Sequence, residues 1–153
     1  MIRLLLLISL LFIPSFSTPI PAAYTTEDLD WLSRTIYYEA GNQSLAGKFA
    51  VALVVINRRA SGKFPNDIKG IVTQEKLVDG KRQCQFAWYC TKVSRPYVGT
   101  AWFQSVAVAR AVLGGNVIDF TDGATHYHTL KVHPNWGFQK LMVIDNHVFY
   151  KQK

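Results

Sequence analysis

At 153 residues the chain is long enough for one domain with a hydrophobic core and too short for two ordinary ones. With 49% apolar and 18% charged residues it excludes a disordered chain and reads as a folded globule. Seventeen basic against ten acidic residues leave a net charge of +7, which suits anionic polymers: nucleic acid, anionic lipid headgroups or acidic cell-wall material.

In chain order, "MIRLLLLISLLFIPSF" sets Arg3 before roughly a dozen apolar residues, and small residues follow up to Ala22 and Ala23, the layout of a secretory signal peptide. Residues 1–23 are therefore assigned to a leader, cleaved after Ser17 or near Ala22 and Ala23, and residues 24–153 to one domain. The competing reading is an uncleaved anchor, although the run is short of the ~20 apolar residues a membrane span needs. Export turns the positive charge away from nucleic acid. It predicts a periplasmic or secreted protein with no stable membrane insertion once the leader is removed.

The first half carries helix signals. "TTEDLDWLSRTIYYEAG" opens on Thr25 and Thr26 with acids in the first turn and stops at Gly41. "SLAGKFAVALVVINRRASG" begins at a capping Ser44, runs to Arg58 and Arg59, and stops at Gly62; its centre is apolar on most sides, which predicts a buried helix. Asp67 caps a short helix in "FPNDIKGIVTQ". In "CQFAWYC", Cys84 and Cys90 form a disulfide in an oxidising compartment or remain two buried thiols. "YVGTAWFQSVAVARAVLGG" is a further helix closed by Gly114 and Gly115. The last third changes character: "ATHYHTLKV" and "LMVIDNHVFYK" are rich in aromatic and β-branched residues, with a turn at Asp145 and Asn146. Helices followed by two or three antiparallel strands make an α+β domain.

Glu39 shares one helical face with Leu32 and Ile36, at i, i+4, i+7 spacing. It is either a helix-end carboxylate reaching solvent or a desolvated acid, with burial and the helix dipole both raising its pKa. Four histidines, His126, His128, His133 and His147, crowd the end of the chain. His126 and His128 share a strand face, yet no carboxylate joins them in a HExxH pattern, so no metal ligand and no cofactor is assigned. Trp88, Tyr89, Tyr97, Tyr127, Trp136 and Phe149 have the ring faces and polar tips that line sugar-binding grooves, whereas Phe86, Trp102 and Phe103 read as core.

"IYYEAGNQSLAGKFAVALVVINRRASGKFPNDIKGIVTQ" resembles the bacterial cell wall hydrolase family that includes the spore-cortex-lytic enzymes. The shared pattern is carried by Glu39, Gly47, Ala50–Val51–Ala52, Asn57–Arg58 and Phe64–Pro65–Asn66, and "CQFAWYC", "GATHYHTLKVHPNW" and "HVFYK" match later signatures. Two departures stand out: Gly41–Asn42–Gln43 replaces the usual Arg-Gly-Glu, and Ala87 replaces a Ser. The resemblance implies a lysozyme-like α+β domain, with Glu39 as the catalytic acid and peptidoglycan glycan strands as the partner of a monomeric enzyme. It also implies cleavage of the β-1,4 bond between N-acetylmuramic acid and N-acetylglucosamine. Gln85 and Phe86 are then expected in the cleft, His126 and Tyr127 on the sugar, and Trp136 and His147 as outer contacts.

A two-carboxylate glycosidase needs a second acid about 5 Å or more from the first. Glu75, Asp79, Asp119, Asp122 and Asp145 all fall in turn-like or cap-like contexts. The reading is therefore a lytic transglycosylase, in which Glu39 serves as acid and then base. The alternatives are a zinc-dependent N-acetylmuramoyl-L-alanine amidase and a non-catalytic peptidoglycan-binding module. The leader fits a bacterial enzyme or a phage endolysin exported by its host.

Overall fold

Helix α1 (Thr26–Ala40) starts where the sequence places it, because Thr25 closes a capping box with Asp28. The Thr25 hydroxyl accepts from the Asp28 N–H at 3.0 Å while the Asp28 carboxylate accepts from the Thr25 N–H at 3.1 Å. In the computed structural model the described residues are 24–91 and 96–152. The expected leader, residues 1–23, lies outside them.

α2 (Leu45–Ser61) is capped by Ser44, whose hydroxyl accepts from the Gly47 N–H at 3.2 Å. It ends at Gly62 with φ 68°, the left-handed stop that glycine adopts freely. Its β-branched run costs a few tenths of a kcal/mol per residue in helix propensity. Burying each such side chain returns about 1.5–3 kcal/mol, so packing decides the conformation. Val51, Val54 and Val55 are fully buried. Short α3 (Ile68–Thr73) follows its Asp67 cap.

The next element departs from expectation. β1 (Glu75–Val78) and β2 (Lys81–Cys84) form an antiparallel hairpin around Asp79 and Gly80, with φ 50° and 71°. Asp-Gly is a strong turn signal, but the flanks carry no apolar alternation because almost the whole hairpin is exposed. Glu75 is thus a strand residue, which corrects its reading as a turn or cap position. α4 (Ala87–Cys90) follows, and the Cys84–Cys90 disulfide ties it to the hairpin's base.

α5 (Gly99–Leu113) packs against α1 and α2. The expected C-terminal sheet is present: β3 (His126–Thr129), β4 (Gln139–Ile144) and β5 (His147–Lys151), antiparallel in the order β3–β5–β4. One core, including Leu32, Ile36, Ile68, Ile71, Phe86 and Val108, joins the helices. A smaller one, Ala50, Val54, Ala124 and Phe149, seats the sheet on α2. Phe103, expected in the core, is 71% exposed because it falls on the outer face of α5. No helix among the described residues is long and apolar enough to cross a membrane.

Candidate active site

A cleft of about 470 Å³ opens between the β1–β2 hairpin and the C-terminal sheet. Gln74, Glu75, Lys76, Gln83, Cys84 and Gln85 line it from the hairpin side. His126, Tyr127, Trp136 and Phe138 line it from the sheet side, and Arg58, only 2% exposed, completes it.

Glu39 lies at the last turn of α1, partly exposed and next to the lining residue Tyr127. The Tyr127 hydroxyl donates to Glu39 Oε2 at 3.0 Å. Burial raises the Glu39 pKa; the Tyr127 hydrogen bond and the positive field of Arg58 pull the other way, and burial prevails. The inward placement of Glu39 read from its spacing with Leu32 and Ile36 is what the fold builds, since both are fully buried. Tyr127 is raised well above its ordinary value, chiefly by burial and then by the Glu39 charge, so it stays a hydroxyl donor.

Arg58 was legible only as a helix-end residue and a family motif position. Its signal was the same spacing that turned Glu39 inward: Val51, Val55 and Arg58 lie at i, i+4, i+7 on a buried face. Its Nε donates to the Thr125 carbonyl at 2.7 Å, and its guanidinium lies 5.2 Å from the Phe64 ring and 5.3 Å from that of Phe86. Burial lowers its pKa to about 10, which leaves it charged at neutral pH.

The other expected residues divide. Gln85, His126, Tyr127 and Trp136 come together in the cleft. His126 is held down to about 4 by burial and by Arg58, so its ring is neutral. Trp136 packs 5.6 Å from both His126 and Phe138, and Phe138, which sequence reasoning missed, extends the aromatic wall. Phe86 meets its core reading and not its cleft one, and His147 is a correction. Phe86 is 2% exposed in the helical core, and His147 is 3% exposed behind Tyr127, 4.9 Å from its ring, so neither touches the cleft. Phe149 is fully buried under the sheet. Trp88, Tyr89 and Tyr97 join Trp31, Tyr38 and Trp102 in a separate aromatic seam outside the cleft lining.

The histidines do not converge. His128 Nδ1 donates to the Thr129 carbonyl at 2.8 Å, which fixes its tautomer and leaves Nε2 to accept from the Tyr150 hydroxyl at 2.9 Å. Among the described residues no three His, Cys, Asp or Glu side chains gather as metal ligands.

Residues 42–150 match the family model for Cell Wall Hydrolase, a stretch that begins just after Glu39. A spore cortex-lytic enzyme of Halalkalibacterium halodurans is 34% identical over 56 residues, covering 37% of this chain and 17% of the relative. That of Bacillus cereus is 30% identical over 59 residues, covering 39% and 23%. The chain thus aligns with less than a quarter of the length of these curated relatives. Among solved structures, the catalytic domain of the Bacillus cereus SleB protein has a TM-score of 0.64 at 23% identity, covering 86% of this chain and 95% of that one. The catalytic domain of the germination-specific lytic transglycosylase SleB from Bacillus anthracis has a TM-score of 0.66 at 22% identity, covering 86% and 100%. At such identities the likeness is one of fold, and it agrees with the lysozyme-like α+β expectation.

Proposed function

The chain belongs to the cell wall hydrolase family, and from that premise we propose that it cleaves the glycan of peptidoglycan as a lytic transglycosylase. The observation that carries this reading is the Glu39–Tyr127 hydrogen bond beside the aromatic-walled cleft. An acid with a raised pKa, oriented by a fixed donor, is what protonation of a glycosidic oxygen requires.

In the proposed reaction the protonated Glu39 gives its proton to the bridging oxygen between N-acetylmuramic acid and N-acetylglucosamine. The C1–O bond breaks as an oxocarbenium-like centre forms. The C6 hydroxyl of the same muramoyl residue then bonds to C1, and its proton returns to the Glu39 carboxylate. One carboxylate completes the cycle, water is not consumed, and the product ends in a 1,6-anhydro ring. Glu75 is the carboxylate in the cleft lining, and its ion pair with Arg82 on the neighbouring strand supports a solvated, non-catalytic role. Peptidoglycan lies outside the cytoplasm, so this reading also calls for export, the role expected of residues 1–23.

The test is mass spectrometry of the fragments released from purified sacculi by wild type, Glu39→Gln and Glu75→Gln. Anhydromuramoyl ends, an activity loss of about 10²–10⁴-fold in Glu39→Gln and retained activity in Glu75→Gln are expected. Reducing ends with a comparable loss in Glu75→Gln establish two-carboxylate hydrolysis instead. Freed stem peptides establish an amidase, and the absence of any product leaves a binding module.

A further inference from the structure

Gln85 is fixed more firmly than an exposed glutamine needs to be. Its backbone N–H donates to the Gln74 carbonyl at 2.8 Å, its predecessor Cys84 is held in the disulfide, and its successor Phe86 is anchored in the core. The side chain is fixed as well. With its amide oxygen toward Arg58, Gln85 accepts from Nη2 at 2.9 Å and from Nη1 at 3.2 Å. The opposite orientation would set an NH₂ group against a guanidinium, donors facing donors, so hydrogen-bond logic selects the first.

Arg58 cannot reverse that choice. It has no acceptor to offer, it is almost fully buried, and Thr125, Phe64 and Phe86 hold its position. With the carbonyl oxygen taken up by Arg58, the Gln85 amide has only its two N–H donors left for a ligand. Gln85 lines the cleft opposite Trp136 and Phe138, where a sugar ring would stack.

We propose that Arg58 sets the polarity of the Gln85 amide so that Gln85 donates to the acetamido carbonyl of the bound glycan and selects N-acetylated over de-N-acetylated sugar. Removing the acetyl group replaces that carbonyl acceptor by an ammonium, which has only donors. The ammonium would meet the Gln85 NH₂, with the charges of Arg58 and Lys76 in the same cleft. His126 is neutral there and the cleft's Glu75 is already paired with Arg82, so neither compensates in full. Gln85 is thus a specificity residue and Arg58 its positioning residue.

This inference rests on the glycan-cleaving reading, and its test separates the two by measuring binding rather than turnover. Soluble glycan strands, fully N-acetylated or chemically de-N-acetylated, are titrated against the Glu39→Gln protein and against Glu39→Gln/Gln85→Glu. Glutamate keeps the shape of glutamine and its contact with Arg58 but carries no donor. The Glu39→Gln protein is expected to favour the acetylated strands by about tenfold, the worth of one well-placed hydrogen bond. The Gln85→Glu change should erase that preference or reverse it, with the melting temperature unchanged or higher. Arg58→Met, which removes the donors that hold the amide oxygen and frees the amide to rotate, should narrow the preference without reversing it.

An unchanged preference in the Gln85→Glu protein overturns the inference and leaves the glycan-cleaving reading intact if wild type still cuts sacculi. Failure of the Glu39→Gln protein to bind either strand, or equal binding of the two, overturns the inference, and the glycan-cleaving reading falls with it only if wild type also releases no glycan fragments from sacculi.

Discussion

The Tyr127 hydroxyl donates to Glu39 Oε2 across 3.0 Å, joining the last turn of α1 to the first strand of the C-terminal sheet over 88 positions of sequence. The contact needs the whole fold, because α1 and β3 are brought together by the packing of both against α2. It also sets the electrostatic balance of the acid, since Tyr127 and Arg58 are the two groups whose influence opposes burial at Glu39.

Replacing Tyr127 by Phe removes the donor that stabilises the ionised form, so the Glu39 pKa should rise further. Activity that needs the protonated acid then persists to higher pH, and the alkaline limb of the pH–rate profile moves upward while the maximal rate falls as the acid loses its orienting contact. A downward shift of that limb would show that the hydroxyl does not favour the carboxylate.

Glu39 should also cost stability at neutral pH. Below its ordinary value of 4.5 the carboxyl is protonated in both the folded and the unfolded chain. As pH rises past 4.5 the unfolded chain ionises first, and the native state loses ground until its own, raised pKa is passed. Glu39→Gln is therefore expected to melt higher than wild type at neutral pH, the gap closing as pH falls below 4.5. Thermal melts of the two proteins across the acid-to-neutral range check this, and a gap that widens toward low pH contradicts it.

The Cys84–Cys90 bridge spans a sequence separation of only 6, so its contribution to global stability is small. Chain entropy assigns a loop of that size about 2 kcal/mol. Denaturant unfolding of the oxidised and reduced protein should differ by that amount, with core amides that exchange by global unfolding speeding up in step and the largest additional increase in β2 and α4. A loss about twice as large would mean that the bridge holds more than its own segment.

Gly47, in the first turn of α2, leaves no room for a side chain against the β4–β5 turn. A Cβ there would fall onto Asp145 Oδ2 and within 2.9 Å of the Gln43 Cβ. Asp145 cannot yield freely, because Oδ2 accepts from the Ser44 N–H at 2.9 Å and from its hydroxyl at 2.7 Å. Gly47→Ala gains about 1 kcal/mol of helix propensity but incurs an overpacking cost of about 1–3 kcal/mol. A net loss of stability is expected in urea unfolding. Adding Asp145→Ala should recover part of it, so that the double variant is less destabilised than the sum of the single ones.

Local chemistry determined much of this protein from sequence alone. Thr25, Ser44 and Asp67 mark the helix starts because each side chain bonds an N–H only three residues on. The aromatic and β-branched runs of the last third form the three-stranded sheet, turning at Asp145 and Asn146. The inward face of Glu39 followed from spacing, since helical periodicity relates it directly to Leu32 and Ile36. The β1–β2 hairpin was not read, because an exposed strand carries no burial pattern and only Asp79–Gly80 announced it. What the tertiary structure alone decided is the company that each group keeps. Arg58 lies in the cleft lining, Gln85 is turned by it, Tyr127 reaches Glu39, and Phe86 and His147 are sealed away. Hydrogen bonds to Arg58 and Glu39 cross 67 and 88 positions of chain, and no local pattern records a distance closed by packing.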